Sequence, residues 1–274
     1  MWHGNEAKES PVLVSWDRIC KPVKQGGLGF KNLHKWNIAF IGKYVWWIEA
    51  KVDHLWVRWI HALGLEEDLL GKEILNQFLF YASWRATGQQ YTSKLGYRWL
   101  EEEGMKVEWH PWMSNRMLQP KHAFFIWLAA QNRLLTQDRL FKMNIIQTNC
   151  CFLCGTEEET QKHLFFKCGF SKRCMILLAQ WMQITLPEQG VIHWWINLRV
   201  RSLMVKHVIA AGIATLMYQI WYHRNWSRVD QLVPRLGFVF QNVRTQLCAR
   251  IRCKSDVKAS SLAKQWIDSL IARK

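Results

Sequence analysis

The sequence is poor in acid. Its 274 residues hold 21 Asp and Glu against 37 Lys and Arg, a formal net charge of +16. Such an excess is costly to a compact fold through self-repulsion and is common where the partner is a polyanion. The first residues, MWHGNEAKES, lack the apolar core that directs secretion. An intracellular, reducing compartment is therefore expected, with a nuclear address open on the basic balance. Long hydrophobic runs are missing too. The longest, Val208 to Tyr222 (VIAAGIATLMYQIWY), has fifteen residues with Gln219 inside it, whereas a bilayer span needs roughly 20. It reads as a buried helix, and no membrane partner is expected. Gly26, Gly27 and Gly29 form a turn, but neither G-x-x-x-x-G-K-S/T nor G-x-G-x-x-G spacing occurs, so no nucleotide phosphate loop is present. No small-molecule substrate is expected.

What the chain has is hydrophobic mass and clustered thiols. Half its residues are hydrophobic and eighteen are Trp, which excludes a disordered chain. Four of eight cysteines and one of ten histidines fall in CCFLCGTEEETQKHLFFKC, from Cys150 to Cys168. In a reducing compartment such thiols are ligands or catalysts more often than bridges. Cys151 and Cys154 stand as C-x2-C; eight residues separate Cys154 from His163 and four separate His163 from Cys168. That Cys3His set suits tetrahedral Zn2+, and its four filled positions leave none for a reacting water, so the metal is expected to be structural and the protein no metalloenzyme. Gly155 permits positive φ, letting backbone amides face the sulfurs. Thr156-x-x-Glu159 is a capping-box pattern expected to start a short helix carrying His163. Leu164, Phe165 and Phe166 would supply a small core. Three alternatives stay open: Cys150 in place of Cys151, a redox C-x-x-C, and plain buried cysteines.

The basic charge is uneven. Arg244 to Lys274 holds eight Lys/Arg against two Asp. A second group, Arg116, Lys121, His122, Arg133, Arg139 and Lys142, leads into the cysteines with Asp138 as its only acidic partner. Arg116, Lys121, Arg133, Arg139 and Lys142 are the candidates for phosphate contact, which would make RNA or DNA binding strongly salt-dependent. The competing explanation is a solvated basic face. Trp127 either stacks a base or is buried, and its place on an apolar stripe favours burial.

The periodicity predicts a mainly α protein, a small zinc-stabilised helical module with flanking helices. Trp36, Ile38, Ala39, Ile41, Tyr44, Val45 and Ile48 form a helical stripe expected to be core. YTSKLGYRWLEEEG reads as one helix, capped by Ser93 and stopped by Gly104, with Glu101, Glu102 and Glu103 a solvated end. His110-Pro111 marks a turn. PKHAFFIWLAAQNRLLTQDRL predicts a helix to about Gln131 and another from Thr136. Met175–Ile184 and Met204–Arg224 read as two more. The terminal segment, with Leu247, Ile251, Leu262, Trp266 and Leu270 loosely spaced, is expected to fold only against a partner.

Four blocks carry a family resemblance: WDRICKPVKQGGLGFKNLHKWNIAFIGKYVWWI (Trp16 to Ile48), YTSKLGYRWL, the stretch from Pro120 to Ser171, and QIWYHRNWSRV (Gln219 to Val229). They resemble the C-terminal part of plant LINE-type (non-LTR) retrotransposon reverse transcriptases, including the reverse-transcriptase zinc-binding domain. The resemblance implies zinc ligands at Cys151, Cys154, His163 and Cys168, handling of RNA or DNA, and a partner polymerase domain in trans. On it the chain divides into 1–62, a remnant following a reverse transcriptase domain; 63–115, a connecting segment; 116–174, the zinc-binding domain; 175–235, a helical closing segment; and 236–274, a basic tail. Polymerase chemistry is not expected, because a palm needs metal-binding aspartates and this chain has seven Asp with no Asp-Asp pair. No length is available for the upstream endonuclease. Past Ser171 the acids are only Glu188, Asp230, Asp256 and Asp268, so ribonuclease H is not expected either. The chain reads as a truncated, non-enzymatic element. The alternative is a structural or interaction remnant, with Trp46, Trp47, Trp56 and Trp59 docking a missing polymerase domain.

Overall fold

The computed structural model describes residues 13–65, 90–101, 103–185, 202–230, 232–254 and 260–273. They fall into two compact units, one within residues 16–105 and the other chiefly within residues 106–274. The fold is mainly α. Among the described residues the only β pairing is an isolated bridge between Cys150 and Glu158.

The N-terminal unit contains α1 (Trp16–Cys20), a 3-10 turn (Val23–Gln25), α2 (Leu33–Glu49), α3 (Leu55–Leu63) and α4 (Ser93–Leu100). Asn32 starts α2: its side chain accepts from the amides of His34 and Lys35, and its own N–H donates to the Tyr97 hydroxyl at 2.9 Å. Ala39, Gly42, Val45 and Ile48, three apart, are the buried face of α2. Helix α4 packs against α2. Close approach within this unit needs Gly96, where a Cβ would stand 1.8 Å from the Tyr91 hydroxyl; that hydroxyl donates to the Ala39 carbonyl at 2.7 Å. Ile41 and Tyr44, expected in the core, are exposed, because the narrow buried stripe leaves their side of α2 uncovered. The cap of α4 is Thr92 rather than Ser93, its hydroxyl accepting from Leu95 N at 3.2 Å. That helix ends at Leu100, before Gly104. Glu102 lies outside the described residues.

The C-terminal unit contains α5 (His110–Met113), α6 (Pro120–Ala130), α7 (Gln137–Lys142), a π-turn (His163–Lys167), α8 (Gly169–Met182), α9 (Leu203–Asp230), α10 (Leu236–Arg252) and α11 (Ser261–Ala272). Helix α9 is the axle, touching α6, α8, α10 and α11. Every residue from Val208 to Met217 is buried, so no polar face exists over that stretch. At 28 residues it is far longer than its fifteen-residue apolar run. Among the described residues it alone is long and apolar enough to cross a membrane, and 72% of its most apolar stretch is buried within the protein.

The terminal segment departs from expectation. Helices α10 and α11 fold on the rest of the chain, because Val239, Val243, Leu247 and Ile251 recur every four residues and make a continuous buried stripe; Ala263, Ile267 and Leu270 do the same on α11. Leu262 is exposed and Trp266 half-buried. Several terminal cations are structural. The Arg250 guanidinium donates to the carbonyls of Arg116, Met117 and Leu118, at 2.9–3.3 Å, and Arg273 donates to the Trp181 carbonyl at 2.7 Å and the Gln183 side chain at 2.8 Å.

Candidate metal centre

Two local devices bring the four predicted ligands together. The first is the loop from Cys151 to Gly155, closed by Gly155 N–H donating to the Cys151 carbonyl at 2.7 Å. Gly155 sits at φ 71°, where a side chain would be strained. The second is the π-turn. In an α-helix, residues five apart diverge by about 140°. The wider turn, closed by Cys168 N–H on the His163 carbonyl at 2.7 Å, lets His163 and Cys168 serve one centre.

The result is a Cys3His cluster in which the ligand atoms of Cys151, Cys154, His163 and Cys168 all lie within 4.8 Å of one another. Cys151 and Cys168 Sγ are 4.0 Å apart, and Cys154 Sγ is 3.3 Å from His163 Nε2. A tetrahedral zinc with ordinary bond lengths sets edges of about 3.6–3.8 Å, so these two edges need only a few tenths of an ångström of adjustment and the widest separation in the cluster about one ångström. All eight cysteines are free. Cys150 is exposed, paired through its backbone with Glu158, and outside the cluster.

The surroundings favour deprotonated sulfur at Cys154 and Cys168. Backbone N–H groups of Leu153 and Cys154 serve the Cys151 sulfur, those of Thr156 and Glu157 serve Cys154, and those of Phe170 and Ser171 in the first turn of α8 serve Cys168. Cys168 is held below the usual thiol range, first by the Cys151 hydrogen bond and then by these amides, while Cys151, the donor of that pair, is pushed up. Burial opposes ionisation of Cys154, yet its hydrogen bonds lower it; one is from the Thr156 hydroxyl at 3.4 Å. His163 is raised, against the pull of burial, by Cys154 and Glu157. Its Nδ1 lies 3.0 Å from Glu157 Oε2, which fixes the tautomer that presents Nε2 to the sulfurs.

The Thr156 capping box does not form. Its hydroxyl is spent on Cys154, and Thr160 starts the turn instead, accepting from His163 N at 3.1 Å. Glu159 is wholly buried. Its Oε1 accepts from Gln137 N at 3.0 Å and from Arg224 Nε at 2.8 Å, with Arg224 Nη2 on the same oxygen. Arg224 is itself buried and stands 4.9 Å from the Trp221 ring centroid. This ion pair therefore ties the ligand loop to α7 and α9. Nothing in the spacing announced it, since Glu159 is one of three consecutive glutamates and only the fold distinguishes it from exposed Glu157 and Glu158.

The predicted phosphate contacts are scattered in state. Arg116 and Lys121 are exposed, Lys121 Nζ lying 5.2 Å from the Tyr218 ring, and Arg133 is half-buried. Arg139 donates to the Asn132 carbonyl at 2.7 Å, and Lys142 pairs with Asp138 at 3.8 Å. Trp127 is buried. Sequence reasoning passed over Lys162, Lys167, Lys172 and Arg173, all exposed and all on or beside the π-turn and the first turn of α8.

Residues 91–174, which include all four ligands, match the family described as zinc-binding in reverse transcriptase. Over that segment the chain is similar to a zinc-binding region of reverse transcriptases, and its Cys3His cluster suits such a metal. Among curated proteins, the Arabidopsis thaliana protein named "Putative ribonuclease H protein At1g65750" is 25% identical over 125 residues, 43% of this chain and 20% of that protein. The chain thus spans about a fifth of that relative's length. No solved structure matches.

Proposed function

We propose that the chain is a non-catalytic, nucleic-acid-binding part of a LINE-type retrotransposon reverse transcriptase, in which one structural Zn2+ fixes a basic surface against RNA or DNA. The observation that carries this reading is the closure of three sulfurs and one imidazole nitrogen around a common centre. Such a set fills a tetrahedral ion and leaves it no open position, so its work is to hold shape. The shape it holds carries Arg116, Lys121, Arg133, Arg139 and Lys142, joined by Lys162, Lys167, Lys172 and Arg173 around the ligands. Arg139 and Lys142 would have to exchange their present partners for phosphate. The reading includes action inside the cell, nuclear where its nucleic acid is, with a polymerase domain as partner in trans and neither membrane nor small-molecule substrate.

Metal analysis of the purified chain should return one zinc per molecule. In a gel shift with single-stranded RNA, affinity should fall steeply with salt, its logarithm having a slope of about −0.7 for each phosphate neutralised. Cys154→Ser should lose the zinc and unfold the knuckle, since a structural zinc contributes on the order of 10 kcal/mol. Native circular dichroism and unchanged RNA affinity in Cys154→Ser would refute the reading.

A second reading, docking to a polymerase domain, is favoured by one observation. Leu55, Trp59 and Leu63, four apart on α3, are 61–69% exposed and form an apolar stripe. Binding to a supplied polymerase domain that Trp59→Ala abolishes, with RNA affinity intact, is its expected signature.

A further inference from the structure

The N-terminal unit carries a surface that the zinc site does not explain. From Arg18 to Ile48 there are six Lys/Arg and no acid. Along α2, Phe40 and Tyr44 are 43% and 41% exposed, and Trp36 and Trp47 are half-buried. The core does not require these rings, since the buried face of α2 is Ala39, Gly42, Val45 and Ile48. They are nevertheless ordered against one another. Phe40 and Tyr44 centroids are 5.6 Å apart, Tyr44 and Trp47 5.5 Å, and Trp56 of α3 closes the row at 5.8 Å from Tyr44. Cations interleave with them: Lys31 Nζ lies 3.6 Å from the Trp36 centroid and Lys43 Nζ 4.5 Å from that of Trp47.

We infer that the aromatic row of α2 is a stacking surface for single-stranded nucleic acid, the rings of Phe40 and Tyr44 taking bases and Lys31 and Lys43 taking phosphates. Alternation of flat rings with lysines, with no acid between Arg18 and Ile48 in the sequence, is the chemistry of a sequence-tolerant strand-binding platform. The rings meet edge to face, at 65–89°, so bases laid on Phe40 and Tyr44 would be splayed rather than parallel as in a duplex, which calls for an unpaired strand.

The test uses the intact zinc-loaded chain and a short fluorescent oligouridylate, with a hairpin duplex of similar length as control. Phe40→Ser combined with Tyr44→Ser should weaken single-strand binding about tenfold or more and leave duplex binding unchanged. Phe40→Leu with Tyr44→Leu keeps apolar bulk but removes the ring faces, and should weaken the oligouridylate to the same degree. Lys43→Glu should lower both affinity and salt dependence. Unchanged single-strand affinity in the serine pair, with far-UV circular dichroism as in the parent, overturns the inference. So does retention of full affinity by the leucine pair, which would mark the row as a hydrophobic protein-docking face.

Discussion

Glu157 does no chemistry of its own, yet it decides which nitrogen of His163 faces the sulfurs. Replacing it with Gln should leave the helices intact and weaken zinc about 10- to 100-fold, read by competition with a chromogenic chelator. Glu159 is a different kind of residue. Arg224→Met strands a buried carboxylate and should cost about 3–5 kcal/mol in urea unfolding, whereas the double change Arg224→Met with Glu159→Leu should recover most of that loss. The clustering of the four candidate ligands was legible because metal geometry imposes short, countable spacings on a chain. The helpers were not, because their partners are chosen by three-dimensional approach. Thr156 shows the difference: the capping-box pattern was present, but a thiolate two residues back outcompeted the backbone for its hydroxyl.

At the scale of elements, α10 carries the clearest lesson. Arg244, Arg250 and Arg252 share the helix with its apolar stripe and masked it in the sequence, so the segment read as weakly amphipathic. Two of those arginines are spent on main-chain carbonyls, Arg250 on residues 116–118 and Arg244 on Arg273. Leu247→Ala should therefore destabilise the folded chain by about 2–5 kcal/mol, a penalty that an unstructured tail could not show in thermal or urea melts. Long, strongly periodic helices were readable: α6, α8 and α9 all appear near where their apolar positions placed them. The stripe of α2 was read too broadly, since periodicity marks a face without saying how much of it a neighbour will cover.

For the whole molecule, acid is the informative stress. His122 is buried, with Nδ1 3.1 Å from Thr215 Oγ1, and burial followed by the neighbouring Lys121 charge lowers it to about 4; burial likewise lowers His207 and His223. An unfolded chain takes up these protons near pH 6.5, and the folded one refuses them, so stability present above that pH should drain away as it falls toward 4. His122 alone would account for up to about 3 kcal/mol. Urea midpoints from pH 7 to 4.5 should show the decline, and His122→Asn at the same zinc concentration should show a shallower one. No sequence pattern could reveal this, because it depends on which helices enclose the ring. The same holds for Glu159 and Arg224, sixty-five positions apart. Their union means that the cysteine-rich loop is not portable. Grafted onto a foreign scaffold with its ligands but without α9, it would bring a carboxylate designed for darkness and no cation to meet it, and the transplant should be rescued only by carrying the arginine helix along.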